Sequence, residues 1–340
     1  MRVLDNEQRR ILIDIGQLYE NELEIRRRIR DYRGGMTWKK AKDREYLFRL
    51  SGRTGHGKSL GARSAGTEKL YKQFHQGKAA VQERLVKAKE RGAHYARLAR
   101  AFQLERVPTV VAKVLRELAV RRLLGREFIV LGTSALYAYE ARAGVRIDPA
   151  LTASGDVDLF YDARRRLALA AAKFDAGGLL GLLRQVDRSF EPIRAHGFRA
   201  VNSDEFMVDL IVAPRDMRDA STVRFGESDL VASEVPSLEW LASAPKFDAV
   251  SVALDGRAVP LTAPDPRAFS VHKAWLSTCL DRDPLKRPRD RGQAEIVARI
   301  VQEYFPHLPF TEEYLRFFPK KLLRANLGRL VKAEVSARGE

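Results

Sequence analysis

Cysteine is almost absent from this sequence, since Cys279 is the only one among 340 residues. A single thiol cannot form an internal disulfide, which excludes a disulfide-stabilised scaffold and favours a reducing compartment. The residues from Met1 to Glu7 also lack the apolar segment of a secretory signal. We therefore expect a cytoplasmic protein.

Long hydrophobic runs are missing as well. No stretch reaches the ~18 consecutive apolar residues that a membrane-spanning helix requires, although hydrophobic residues make up 45% of the chain. This apolar content is enough for a sizeable core, and we expect no membrane partner. The length suits two domains, or one domain with extensions.

Acidic residues are scarce in the first third of the chain. Residues 1–110 hold 26 Lys/Arg and 13 Asp/Glu, whereas the remainder is nearly balanced within a formal net charge of +17. A basic segment joined to a nearly neutral one favours a polyanionic partner, with nucleic acid, and RNA first, as the leading candidate. A solvated basic surface is the alternative.

Three regions are predicted along the chain. Pro108 separates a basic extension over residues 1–107 from a mixed α and β region over residues 108–262. Residues 263–340 show helical periodicity and form the third region. The fold class is therefore α+β, with a helical region at the C-terminal end.

The extension is predicted to contain helices and a β-hairpin. Apolar residues at helical spacing predict a helix over residues 5–32 and one or two helices over residues 66–104. Residues 46–64 predict a hairpin with a glycine-rich loop. Its basic side chains are candidate nucleic-acid contacts, with packing against neighbouring helices as the alternative for its aromatic ones. The basic candidates are Arg49, Arg53, Lys58 and Arg63.

Residues 52–59, Gly-Arg-Thr-Gly-His-Gly-Lys-Ser, match the spacing of a P-loop. A P-loop also requires a buried strand before it and a helix directly after it. Here the preceding segment is mixed and charged, and Leu60-Gly61-Ala62 indicates an extended chain. We therefore interpret this segment as a hairpin loop and not as a nucleotide site.

A short apolar run at residues 128–131 is followed by Gly132, Thr133 and Ser134 and then by a helical segment. A strand that turns into a helix through glycine presents free backbone N–H groups, which suit phosphate oxygens. These three residues are therefore candidate triphosphate-binding residues.

Asp156 and Asp158 alternate with Val157 and Leu159 in a predicted strand. Alternate side chains of a strand point to the same side, so the two carboxylates share a face while the apolar pair faces a core. Carboxylates this close repel each other unless a cation lies between them. Their hard oxygen atoms suit Mg²⁺, or Mn²⁺ in its place.

A third carboxylate lies on a later predicted strand. Residues 205–213 are apolar apart from Glu205 and Asp209, and they are predicted to pair in antiparallel fashion with residues 198–201. Asp209 would complete a metal site with the first two aspartates.

This order of features resembles the nucleotidyltransferase superfamily with a DNA polymerase β-like palm. The shared pattern is a strand, Gly-Thr/Ser and a helix, then two alternating aspartates, then one acid on a later strand. The motif Gly132-Thr-Ser-Ala-Leu136 is similar to that of an uncharacterised bacterial branch near the AbiEii-type toxin nucleotidyltransferases. The likeness covers roughly residues 108–214 and continues more weakly to 294. The loop between Gly132 and Asp156 is longer than in most of the superfamily.

The resemblance implies a palm with a mixed or antiparallel sheet and flanking helices. It also implies metal-dependent transfer of a nucleotidyl group from an NTP, such as ATP, to an acceptor hydroxyl. Asp156, Asp158 and Asp209 would be the catalytic and metal-binding residues, with Asp209 nearest the incoming hydroxyl. Lys273 would reach the nucleotide phosphates, with a solvated lysine as the alternative. Asp290 is either a helix cap or a partner that holds Lys273 or Arg287 in place.

Several functions stay open on these grounds. The acceptor could be RNA, including a tRNA 3′ end modified by a toxin-like enzyme, a protein side chain or a small-molecule alcohol. From a different class, the palm could be a non-catalytic scaffold of a nucleic-acid-binding module. The sequence specifies neither the NTP nor the oligomeric state.

Overall fold

A computed structural model of the chain shows mixed α and β architecture, in agreement with the predicted class. The structure describes residues 1–41, 43–50, 57–164, 167–174, 177–214 and 222–332. Arg53 and most of the P-loop-like segment lie outside the described residues.

The basic extension consists of two long helices with a small sheet between them. Its elements are β1 (Arg2–Val3), α1 (Asn6–Asp31), β2 (Gly35–Ala41), β3 (Arg44–Leu50), β4 (Gly57–Ala62) and α2 (Ala65–Ala101). Both helices begin at a capping box, formed by Asp5 with Gln8 and by Ser64 with Thr67, which satisfies backbone N–H groups of the first turn. The two predicted helices are confirmed, and the second is one continuous helix.

The predicted hairpin is wrong in one respect, because the sheet has three strands in the order β2-β3-β4. The additional strand, β2, contains Lys39 and Lys40 of a charged segment for which no strand was predicted. Lysine is tolerated on an edge strand because its side chain reaches solvent. Trp38 anchors the strand against Tyr71 of α2, with ring centroids 5.9 Å apart.

The middle of the chain forms the central sheet and its flanking helices. Its first elements are α3 (Thr109–Val120), β5 (Phe128–Leu131), a 3₁₀-helix (Gly132–Ala135), α4 (Leu136–Ala143), β6 (Val145–Arg146), α5 (Pro149–Thr152) and β7 (Asp156–Tyr161). They are followed by α6 (Leu167–Ala171), α7 (Gly178–Val186), β8 (Glu191–Pro192), β9 (Arg199–Val201), β10 (Met207–Val212) and β11 (Ser233–Glu234).

The central sheet has the order β5-β7-β10-β9-β8, and β11 also pairs with β10. Strands β7 and β10 are parallel, whereas β5 is antiparallel to β7 and β9 is antiparallel to β10. The predicted antiparallel pair β9–β10 is therefore confirmed, and the sheet is mixed.

The two faces of this sheet pack against different cores. Val157 and Leu159 lie in the larger core with α3, α4 and α7, and both are essentially inaccessible to solvent. Phe160 and Ile211 lie on the opposite face and pack in a second core with the C-terminal helices. Because side chains alternate along a strand, the three aspartates of β7 and β10 belong to this second face.

The remaining elements are α8 (Leu238–Ser243), β12 (Lys246–Val252), β13 (Ala258–Pro264), α9 (Pro266–Leu276), α10 (Arg287–Tyr304) and α11 (Lys320–Lys332). β12 and β13 form an antiparallel hairpin, and Gly256 in its turn has φ +77. The helical C-terminal region is confirmed for α9, α10 and α11.

The extension packs directly on the rest of the molecule. Ile11 and Ile15 of α1 share a small core with Ala99 of α2 and Val252 of β12. The boundary at Pro108 stays a prediction, because this core joins the two sides of it. Within the described residues, no helix combines the length and the apolar character that crossing a membrane would demand.

Candidate active site

The register of the central sheet brings two of the predicted acids side by side. Asp158 of β7 lies opposite Asp209 of the parallel strand β10. On the outer sides of this pair, Leu131 of β5 lies opposite Asp158, and Arg199 of β9 lies opposite Asp209. Asp156 projects from the same face two residues before Asp158. We call Asp156, Asp158 and Asp209 the carboxylate face.

Gly132 lies against this carboxylate face and could not be another residue without a clash. A Cβ atom at this position would lie 2.1 Å from Asp158 Oδ2, and the residue has φ +58. Both the close approach and the left-handed backbone require glycine. The glycine turn therefore lies in direct contact with the carboxylate face.

Thr133 and Ser134 continue from Gly132 into the 3₁₀-helix that leads to α4. The Thr133 hydroxyl accepts hydrogen bonds from Arg289 Nη2 at 3.3 Å and from Gln293 Nε2 at 3.2 Å. Ser134 is buried. One hydroxyl of this turn is therefore engaged and the other is buried, which leaves the backbone as the accessible part of the two residues' polar groups.

Burial and like charges act together on Asp158. They raise the pKa of its carboxyl to about 6, with burial as the larger cause and the Asp156 and Asp209 carboxylates adding to it. Lys273 and Arg199 oppose this shift. A carboxylate held among other carboxylates gains from a bound cation, because the cation removes the repulsion.

The other two acids have local hydrogen-bond partners. The Ser154 hydroxyl donates to Asp156 Oδ1. Arg199 donates from Nε and Nη2 to the two oxygens of Asp209, each at 2.6 Å. Asp209 is buried, and this two-point ion pair occupies both of its oxygens.

The donor chemistry of the carboxylate face fits a divalent cation, with one reservation at Asp209. Asp156 and Asp158 offer hard oxygen ligands on one face, and the Asp156 and Asp209 carboxylates add to burial in raising the pKa of Asp158. However, no three acidic, histidine or cysteine side chains of the described residues are arranged to hold a metal ion. Arg199 takes the position of a cation at the third acid.

Lys273 of α9 is buried beside this site. Its Nζ donates to Asp290 Oδ1 at 2.7 Å, and Arg282 Nε donates to the other oxygen of Asp290, also at 2.7 Å. Asp290 therefore holds Lys273, one of the two alternatives that the sequence left open. Burial lowers the pKa of the Lys273 ammonium, while the Asp290 and Asp158 carboxylates oppose this effect.

His272 precedes Lys273 but has a different environment. Its Nε2 lies 2.9 Å from the Ser237 hydroxyl, and both side chains are buried. Burial lowers the pKa of His272 to about 3, so the imidazole is neutral at neutral pH. A neutral, hydrogen-bonded histidine supports the packing of α9 and adds no charge to the site.

Of the basic residues predicted on the hairpin, Arg49 and Lys58 lie on the sheet of the extension and Arg63 follows its last strand. Arg49 donates to the carbonyl oxygens of Gly35 and Asp31, and its guanidinium lies 4.3 Å from the centroid of the Phe74 ring. Arg63 forms ion pairs with two glutamates of the extension. Lys58 is exposed.

Three residues of the site were missed from the sequence. Arg199 could have been found by counting the register of the predicted β9–β10 pair back from its turn, which places it opposite Asp209. Arg289 and Gln293 reach the Thr133 hydroxyl from α10, about 160 residues away in sequence. Nothing in the local sequence of either residue indicates that contact.

Comparison with known proteins identifies the family. A family model described as Nucleotidyltransferase matches residues 109–319, which is more than half of the chain. The matched segment includes the carboxylate face, the Gly132 turn and Lys273, and it leaves out the basic extension. Neither the curated proteins nor the solved structures gave a match. The chain belongs to this nucleotidyltransferase family.

Proposed function

We propose that the protein transfers a nucleotidyl group from an NTP to an acceptor hydroxyl in a reaction that requires Mg²⁺ or Mn²⁺. The observation that carries this proposal is the register of β7 and β10, which sets Asp158 beside Asp209 and leaves Asp156 on the same face. Family membership supports nucleotidyl transfer in general.

Each residue of the site has a distinct role in this proposal. Asp156, Asp158 and Asp209 would hold the metal, and the chemistry that such a cation supplies when bound is a lower pKa for the acceptor hydroxyl and less charge on the leaving pyrophosphate. Asp209 accepts the proton of that hydroxyl. The backbone at Gly132 receives triphosphate oxygens, and Lys273 adds positive charge close to them.

We further propose RNA as the acceptor, with a tRNA 3′ end and a toxin-like activity near the AbiEii branch as the narrower version. Support comes from the excess of Lys and Arg in residues 1–110, which a small acceptor would not require. The single cysteine supports a cytoplasmic setting.

The experiment is incubation with each α-phosphate-radiolabelled NTP, Mg²⁺ or Mn²⁺, and total RNA, with the Asp156→Ala/Asp158→Ala variant as control. Label that enters RNA only with the intact protein would support the proposal and name the base. Label in the protein band would indicate protein nucleotidylation instead. Label in a small alcohol added as acceptor would indicate a small-molecule substrate.

The ion pair at Asp209 favours a second candidate, a nucleic-acid-binding protein whose palm is a scaffold without turnover. Arg199 neutralises one of the three carboxylates without any metal. This candidate predicts salt-sensitive RNA or DNA binding, no label transfer and no Mn²⁺ binding that depends on Asp156. Mn²⁺ binding that is lost in Asp156→Asn would count against it.

A further inference from the structure

Two basic side chains adjoin the carboxylate face, and they differ in their freedom to move. The Lys273–Asp290 pair is buried on both sides, with side-chain exposures of 10% and 3%, and Arg282 binds the same carboxylate. The Arg199–Asp209 pair is asymmetric, since the arginine side chain is 35% exposed and the aspartate 7%. Arg199 can therefore leave its partner toward solvent, whereas Lys273 cannot.

Arg199 binds the same carboxylate oxygens that Asp209 would offer to a metal ion. Its two hydrogen bonds, both 2.6 Å long, tie the oxygens of Asp209, the third ligand of the proposed metal site. A divalent cation at the same carboxylate would repel the guanidinium across only a few ångströms. The two cations therefore compete for Asp209.

The Arg199 guanidinium has a second contact besides Asp209. Its carbon lies 5.5 Å from the centroid of the Phe198 ring, within the range of a cation–π contact, while its nitrogens bind the carboxylate. Phe198 itself is partly exposed. Because this ring contact does not depend on Asp209, it remains open to the guanidinium when the carboxylate is released.

We propose that Arg199 is a displaceable counter-ion of Asp209, which stabilises the carboxylate face without metal and yields its place when a divalent cation binds. Arg199 is thus a positioning residue that sets the metal affinity of the site. This inference rests on the proposed function, because it assumes that a divalent cation binds there.

The test is a Mn²⁺ titration followed by the electron paramagnetic resonance signal of free Mn²⁺. The Asp156→Asn/Asp158→Asn variant serves as the blank for other sites. We expect Arg199→Ala to bind Mn²⁺ about tenfold more tightly than the wild type, and Arg199→Lys to lie between them, since lysine keeps the charge but loses the two-point geometry.

Arg194→Ala is the matched control, because Arg194 is an exposed arginine in the same β8–β9 segment and its loss changes the net charge equally. We expect its Mn²⁺ affinity to stay within about twofold of the wild type, since a solvent-exposed charge is screened. A gain in Arg194→Ala equal to that in Arg199→Ala would overturn the inference, because net charge alone would then explain it.

Thermal melting supplies a second readout. In EDTA, Arg199→Ala should melt at a lower temperature than the wild type, because Asp209 is left buried without a partner. Saturating Mn²⁺ should raise the melting temperature of Arg199→Ala more than that of the wild type. If Arg199→Ala does not fold, the melting temperatures of Arg199→Lys in EDTA and in Mn²⁺ are compared instead, and we expect smaller changes.

Two outcomes separate failure of this inference from failure of the proposed function. Equal or weaker Mn²⁺ affinity in both Arg199 variants would overturn the exchange while the metal site stands. An absence of Asp156-dependent Mn²⁺ binding in all proteins would overturn the metal chemistry itself, and the exchange with it.

Discussion

Charged side chains are paired with opposite partners in the sheet of the basic extension, whereas like charges lie next to each other on the carboxylate face. In the extension, Arg63 forms ion pairs with Glu45 and Glu68 at 2.5 and 2.9 Å. Arg49 donates hydrogen bonds to backbone carbonyls and lies over an aromatic ring. On the carboxylate face, Asp158 is surrounded by two other acids, and burial with this repulsion raises its pKa to about 6.

In this molecule, a segment rich in basic residues is a weaker sign of function than a few acidic side chains that lie close together without enough opposite charge. The extension is strongly basic, yet two of the three arginines singled out from its sequence, Arg49 and Arg63, are engaged in holding its own structure. The part of the chain that carries the central sheet is nearly neutral, yet it keeps like charges together in a buried place. Perturbed carboxyl groups of this kind are concentrated at functional sites.

The largest effect is expected for Asp158→Ala, which removes an acid from the centre of the carboxylate face. We expect nucleotidyl transfer to fall about a thousandfold or more, since a lost metal ligand costs several kcal/mol and each ~1.4 kcal/mol is a factor of ten in rate. The melting temperature should not fall, because removing one of three neighbouring acids relieves repulsion. Label incorporation and thermal melting on the same sample check both parts. Undiminished transfer would remove Asp158 from the site.

Gly132→Ala should disturb the same face through shape and not through charge. The new methyl group meets Asp158 Oδ2, and φ +58 strains any non-glycine residue. We expect a loss of about 1–3 kcal/mol in the free energy of unfolding, together with impaired transfer. Urea denaturation measures the stability loss.

Gly155→Ala is the matched control for this substitution. A Cβ atom at Gly155, next to Asp156, would have no heavy atom within 4 Å. Its stability should therefore match that of the wild type. Equal losses in the two variants would argue against a specific clash between residue 132 and Asp158.

The pH dependence of stability tests the raised pKa of Asp158 directly. The folded-state pKa of about 6 exceeds the ordinary aspartate pKa of 3.8, so the folded protein binds this proton more tightly than the unfolded chain. The resulting stabilisation is fully present below the unfolded-state pKa and is lost as the pH rises through about 6.

In EDTA, the free energy of unfolding of the wild type should therefore fall by about 1–3 kcal/mol relative to Asp158→Asn between pH 4 and 7. Urea denaturation at several pH values, compared between the two proteins, measures this. Parallel profiles would mean that Asp158 does not titrate in this range.

The smallest effect is expected in the extension, where the exposed Lys58 can be compared with the paired Arg63. Lys58 is exposed and well placed for a polyanion, whereas Arg63 is already paired. If RNA contacts this sheet, Lys58→Ala should reduce the slope of log affinity against log salt by about 0.9. Arg63→Ala should change it less. Identical slopes for wild type and Lys58→Ala would place the RNA elsewhere.

Much of the fold could be read from periodicity and turn residues. The long helices of the extension begin where Asp5 and Ser64 can cap them, and the Asp255-Gly256 turn predicts the β12–β13 hairpin. Strand β2 was missed because its lysines look like a loop, whereas an edge strand in contact with α2 accommodates them. Local patterns do not report such contacts.

In the candidate site, too, the local features could be predicted from the sequence and the contacts between distant residues could not. By itself, the sequence determined that Asp156 and Asp158 share a face, because alternation is a property of any strand, and that glycine precedes the helix at residue 132. Only the tertiary structure decided that Asp209 stands beside Asp158, that Arg199 pairs with it, and that Asp290 holds Lys273. These contacts depend on strand order, register and helix packing, which arise from the burial of distant apolar surfaces against one another.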